Sequence, residues 1–148
     1  MSVATHYRRI RRDRPTEPAS RAIFWARNMD KIDRLASRTE WEWTGDYTGA
    51  FLIGRVDGIE IRVYNDAEPY DSGDCELTDQ EWRDLEVIGV AVGIPHDPDD
   101  LDSIWGVAYL DHDAERNALE TAHETGLIAT ARDELERRRT RAEVRGEN

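Results

Sequence analysis

The apolar positions of this chain change period from segment to segment, and each change marks an element. Ala22, Trp25, Ala26, Met29, Ile32, Leu35 and Ala36 recur at three- and four-residue steps. That spacing keeps them on one face of an amphipathic helix of about five turns, with Ser20 as its candidate N-cap. The period then drops to two in EWEWTGDYTGAFLIGRVDGIEIRVY. Asp57-Gly58 is a strong hairpin signal, because a type I′ turn needs positive φ at both central residues. With that turn fixed, Val56 faces Ile59, Arg55 faces Glu60 and Leu52 faces Val63, so one side is apolar and the other pairs opposite charges. Glu40–Thr44 alternates Glu with Trp and is expected to add a third strand.

Residues 65–77, NDAEPYDSGDCEL, read as an acidic loop. Thr78-Asp79-Gln80-Glu81 matches a capping box and predicts a short helix ending near Leu85. EVIGVAVGI (86–94) and SIWGVAYL (103–110) have the β-branched and aromatic content of strands. A last helix is expected from Ala114 to Arg139, capped by Asp113, with Leu119, Ala122, Leu127 or Ile128, Ala131 and Leu135 inward. Gly126 interrupts it at a cost of about 1 kcal/mol against Ala and marks a place for a bend. Residues 1–18 have no periodic face and read as a basic flexible arm. Residues 19–140 read as one domain and 141–148 as a tail. The expected fold is α+β: a mainly antiparallel sheet of four or five strands packed against an N-terminal and a long C-terminal helix.

Charge changes this outline more than composition does. Residues 1–38 hold 10 Lys/Arg against 4 Asp/Glu, residues 39–131 hold 4 against 23, and residues 132–148 hold 6 against 5, which gives the chain's −12. An acidic body behind a basic head repels nucleic acid and attracts basic protein surfaces. Acidity as salt adaptation, and a GC-rich genome behind the use of Arg over the lone Lys31, are the simpler explanations. No apolar run approaches the ~18 residues of a membrane span. The start lacks a secretory apolar stretch, which points to the cytoplasm. Cys75 alone provides neither an intrachain disulfide nor a Cys-based zinc framework.

Glu81-Trp82, Ile88-Gly89-Val90-Ala91-Val92, Ser103-Ile104-Trp105-Gly106-Val107 and the closing helix from Ala114 form a pattern over the last 60 or so residues. The pattern resembles small proteins of unassigned activity encoded by actinobacterial phages and mobile elements. The resemblance implies a mobile-element protein working inside a bacterial host, and carries over no site residue.

Several constellations are candidates for chemistry. PHDPDDLD (95–102) fails the EF-hand pattern, because Leu101 falls at a ligand position and Asp102 replaces the glycine. The loop carries Asp97, Asp99, Asp100 and Asp102 either as a solvated hairpin connection or as a looser cation site. His96, Asp97, His112 and Asp113 form a hydrolytic metal centre only if their loops meet, and hairpin geometry sets them ~27 Å apart at ~3.4 Å per residue. His123-Glu124 lacks the second His of HExxH. Arg8, Arg9, Arg11 and Arg12 in the arm are candidates for phosphate contact, as the only expected route to nucleic acid.

The acidic belt is the leading candidate: Asp66, Glu68, Asp71, Asp74, Glu76, Asp79, Glu81, Asp97, Asp99, Asp100 and Asp102. Rigid carboxylates displayed outside a core can occupy a groove built for phosphates. The expectation is a non-enzymatic protein without a cofactor that binds and modulates a basic host protein, in its sharpest form as a DNA-mimic inhibitor. A metal-dependent hydrolase and a phage structural component are the alternatives.

Overall fold

The computed structural model describes residues 4–11, 19–45, 49–66 and 77–146, with the backbone alone over 4–11 and 19–27. Its elements are β1 (Ala4–Arg11), α1 (Ala19–Arg38), β2 (Glu40–Trp43), β3 (Leu52–Val56), β4 (Ile59–Asn65), α2 (Asp79–Asp84), β5 (Glu86–Gly93), β6 (Asp102–Tyr109), α3 (Ala114–Glu124) and α4 (Leu127–Val144). The strands lie in the order β1-β6-β5-β4-β3-β2. Neighbours from β2 to β6 run antiparallel, and β1 adds a parallel strand at the β6 edge. The fold is therefore α+β, with the N-terminal helix and the C-terminal helices on one face of the sheet.

The β3–β4 hairpin has the register expected from its turn. Leu52 opposes Val63, Arg55 opposes Glu60 and Val56 opposes Ile59. Asp57 at φ +51° and Gly58 at φ +82° both take the left-handed conformation that a type I′ turn requires. Leu52, Val56, Ile59, Ile61 and Val63 join Val90, Val92, Ile104 and Val107 in one buried cluster. Ile32 and Leu35 of α1, Ala118, Leu119 and Ala122 of α3, and Leu127, Ile128 and Ala131 of α4 cover it from the helical side. The apolar steps in these helices face the sheet for that reason.

Two local expectations need correction. The single helix Ala114–Arg139 is two helices that break at Gly126, whose φ of +82° no continuous α-helix accepts. The break lets α4 turn back across β4 and β5. Ala4–Arg11, where a flexible arm and no strand was expected, pairs parallel with Ser103–Tyr109, with one register shift between His6 and Arg9. Its sequence shows no alternation because pairing to a strand about a hundred residues away supplies the order. The capping box is present as read: the Thr78 hydroxyl accepts from the Glu81 amide, and the Glu81 carboxylate accepts from the Thr78 amide.

The sheet face away from the helices is packed with polar and aromatic groups. The Trp105 ring lies over Gly89, the Arg62 guanidinium over Gly93, and the Trp105 and Tyr64 rings meet at 5.7 Å. A side chain at either glycine would collide with the group above it.

Candidate functional site: an aromatic and carboxylate cleft at one end of the sheet

The PHDPDDLD loop folds around one cation. Arg62, only 6% exposed, donates to the backbone carbonyls of Ile94 (3.2 Å), Asp97 (2.7 Å) and Asp99 (3.2 Å) and to Asp100 Oδ1 (2.9 Å). The Asp100 carboxylate also accepts from the Tyr64 hydroxyl, which burial and that negative neighbour push up to about 12. Asp97 accepts from the Asp99 amide at 3.0 Å and pairs with Arg138 at 2.8 Å, and these contacts hold its carboxyl below the usual range. Asp102 accepts from the Ser103 amide. Asp99 is exposed. Much of this acidic crest thus neutralises arginines of the same chain.

The other expected partner-binding residues scatter. Asp66 accepts from the Gly106 amide at 2.8 Å, beside the β5–β6 irregularity. Asp79 is exposed on α2. Glu68, Asp71, Asp74 and Glu76 lie outside the described residues, as does Arg12. Arg8, Arg9 and Arg11 belong to the backbone of β1.

His96 and Asp97 sit at the β5–β6 connection, whereas His112 and Asp113 follow β6 at its other end. The residues considered for a hydrolytic metal centre are not brought together. Asp111 accepts from the Asn117 amide group, and Asp113 caps α3 by accepting from the Arg116 amide at 3.0 Å. Among the described residues, no group of three His, Cys, Asp or Glu side chains is placed to hold a metal ion.

A cavity of about 480 Å³ opens at that other end, between the sheet and the start of α3. Trp43 from β2, Phe51 before β3, Asn65 from β4, Glu86 and Ile88 from β5, Tyr109 from β6, His112 and Ala114 line it. β2, β4, β5 and β6 each contribute a terminal or near-terminal residue, so the alternation that buries Leu52, Val63 and Val107 also aims Trp43, Glu86 and Tyr109 to the same face. Trp43 is 59% exposed and packs against Phe51 at 5.7 Å, with its indole N–H donating to Glu115 Oε2 at 3.1 Å.

The polar floor is a chain of three groups. Tyr109 is buried, and its hydroxyl is pushed well above its ordinary value by burial first and by its hydrogen bond with Glu86 second. Glu86 Oε1 lies 2.9 Å from His112 Nδ1. That contact raises the imidazole above 6.5, and Asp84 and Asp111 add to the effect. His112 itself is held at φ +57°, an uncommon conformation for a residue with a Cβ. The negative groups therefore converge from α2, β5, the β6–α3 connection and α3.

Comparison with family models, with curated proteins and with solved structures returns no match. The chemistry of the cleft must be read from its own groups. It offers two aromatic faces, a fixed carboxylate and a histidine, which suits reversible recognition of a planar or cationic group. The sequence singled out His112 but grouped it with His96, Asp97 and Asp113. The register carried straight from Val92 opposite Asp102 would set Glu86 against Ala108, and the extra β6 residue at the irregularity between Ile88 and Val90 brings Tyr109 opposite Glu86 instead, next to His112.

Proposed function

We propose that this protein is a non-enzymatic acidic module that docks on a basic surface of a partner protein. The observation that carries this reading is the fixed array of carboxylates around the cleft. Glu86 is held by Tyr109 and His112, Glu115 by Trp43, and Asp111 and Asp113 by the first turn of α3. Held carboxylates lose little further freedom on binding, so their charge is presented as a pattern and not only as a sum. Elsewhere Arg34, Arg38, Arg55, Arg62, Arg116, Arg132 and Arg138 are paired with carboxylates of the same chain. The phage-type pattern in the second half agrees with a host nucleic-acid-binding protein as the target, its phosphate-binding groove receiving the array. No helix among the described residues is long and apolar enough to cross a membrane.

Placement is separable from net charge. A triple variant Asp84→Asn, Glu86→Gln, Glu115→Gln and a second, Asp30→Asn, Asp133→Asn, Glu136→Gln, remove the same charge from different places. Calorimetric titration of each with poly-L-arginine should show affinity falling with salt in every case, and falling further for the cleft-end variant at every salt concentration. Equal affinity of the two variants would refute the reading, because net charge alone would then explain the binding.

A further inference from the structure

We infer that the cleft is the anchoring pocket for one arginine side chain of that basic partner, the guanidinium lying between the Trp43 face and the Glu86 carboxylate. This rests on the reading above and gives it a point of attachment. A guanidinium is planar, weakly hydrated and rich in in-plane donors, so it stacks on indole while bonding a carboxylate at its edge. Trp43 is a large, exposed ring already braced by Phe51 and by its bond to Glu115. Glu86 is engaged by the Tyr109 hydroxyl and by His112, which still leaves acceptor capacity, since a carboxylate has about four lone-pair sites. A cavity of about 480 Å³ admits a side chain and excludes a folded element. Charge complementarity chooses the occupant: Asp84, Glu86, Asp111, Asp113 and Glu115 come from α2, β5, the β6–α3 connection and α3, and Tyr109 is held in its neutral form.

Among the described residues lining the cleft, His112 is the one that can become cationic, and it competes with the guest for Glu86. Affinity for a guanidinium therefore rises as His112 loses its proton. This gives a readout that an adventitious hydrophobic contact would lack.

The test uses the full ¹⁵N-labelled chain and three probes of one shape: n-butylguanidinium, n-butylammonium and n-butylurea. The Trp43 indole N–H signal, assigned by comparison with Trp43→Phe, is followed by NMR. The expected result is a saturable shift with butylguanidinium, weaker with butylammonium and absent with butylurea. Affinity should rise with pH across the His112 titration. Glu86→Gln should weaken it roughly tenfold, the scale for losing one hydrogen bond to a charged group. An indole signal unmoved by butylguanidinium, or moved equally by butylurea, overturns the inference. If that happens while poly-L-arginine still prefers the intact carboxylate array, only the pocket fails. If butylguanidinium saturates the cleft while poly-L-arginine ignores the array, the pocket stands and the surface reading falls.

Discussion

Replacing Arg62 by Met keeps most of the aliphatic stem and removes a buried cation that organises two parts of the chain. Three backbone carbonyls, Asp100 and Glu60 lose a donor. Glu60 is only 7% exposed and would become an under-paired buried anion. Breaking a buried pair from one side costs about 3–5 kcal/mol. Glu60 keeps its contact to Arg55 at 3.0 Å, and Asp100 keeps the Tyr64 hydroxyl, which places the loss at the lower end, about 3 kcal/mol. At about 2–4 °C per kcal/mol for a chain of this size, the melting temperature should fall by roughly 6–12 °C. Urea denaturation followed by circular dichroism measures the free energy directly. Adding Glu60→Leu to Arg62→Met should restore part of the loss, because the uncompensated anion is then gone. A loss below about 1 kcal/mol for Arg62→Met, the scale of an exposed pair, would refute the view that this cation holds the loop.

Other outcomes follow from single sites. Gly89→Val places a side chain where the Trp105 ring lies, and should cost about 1–3 kcal/mol with a change in indole fluorescence, read by urea titration. Gly126→Ala has open space but keeps φ +82°, so strain alone should cost about 1–2 kcal/mol in the same assay. Asp57→Asn retains a residue tolerant of positive φ while removing the partner of Arg38 and Arg132, and should cost about 1 kcal/mol or less, fading with salt. The Asp57 carboxyl sits below its ordinary 3.8, held there by Arg38, so its contribution is complete above about pH 3.8 and disappears as pH falls through the lower folded value. His112 runs the other way. Its folded value lies above 6.5, so the Glu86 contact stabilises fully below about pH 6.5 and is lost as pH rises through the folded value. An NMR titration of His112 should show the raised value, and Glu86→Gln should return it toward 6.5.

The sequence made local rules visible and hid what depends on distant partners. The β3–β4 register was legible because Asp57-Gly58 admits few turns and each cross-strand pair then agrees in polarity. The capping box was legible because both of its hydrogen bonds lie within four residues. PHDPDDLD was misleading for the opposite reason: the cation that binds it, Arg62, is more than thirty residues away on β4. Gly126 read as a bend within one helix, and nothing nearby in sequence signals the full break. The choice comes from the sheet surface that α4 covers after reversing. The cleft was not legible as a unit, since Trp43, Glu86 and Tyr109 line one cavity only once the four strand registers from β2 to β6 are fixed. Each of the three looked like an ordinary strand residue in isolation.

The pairing of β1 with β6 orders events during synthesis. Ala4 pairs with Ser103, so the strand made first finds its neighbour only after about a hundred more residues have left the ribosome. At typical elongation rates that takes about 5–20 s. Through that interval β2 to β5 can pair through short hairpins, and once β6 joins them its outer edge stays unpaired until β1 docks. Closing so long a loop slows the last step, and an open edge is a template for another chain. The N-terminal strand therefore works as a late-arriving cover, and deleting residues 1–11 should show itself first as aggregation during expression and only second as a lower melting temperature.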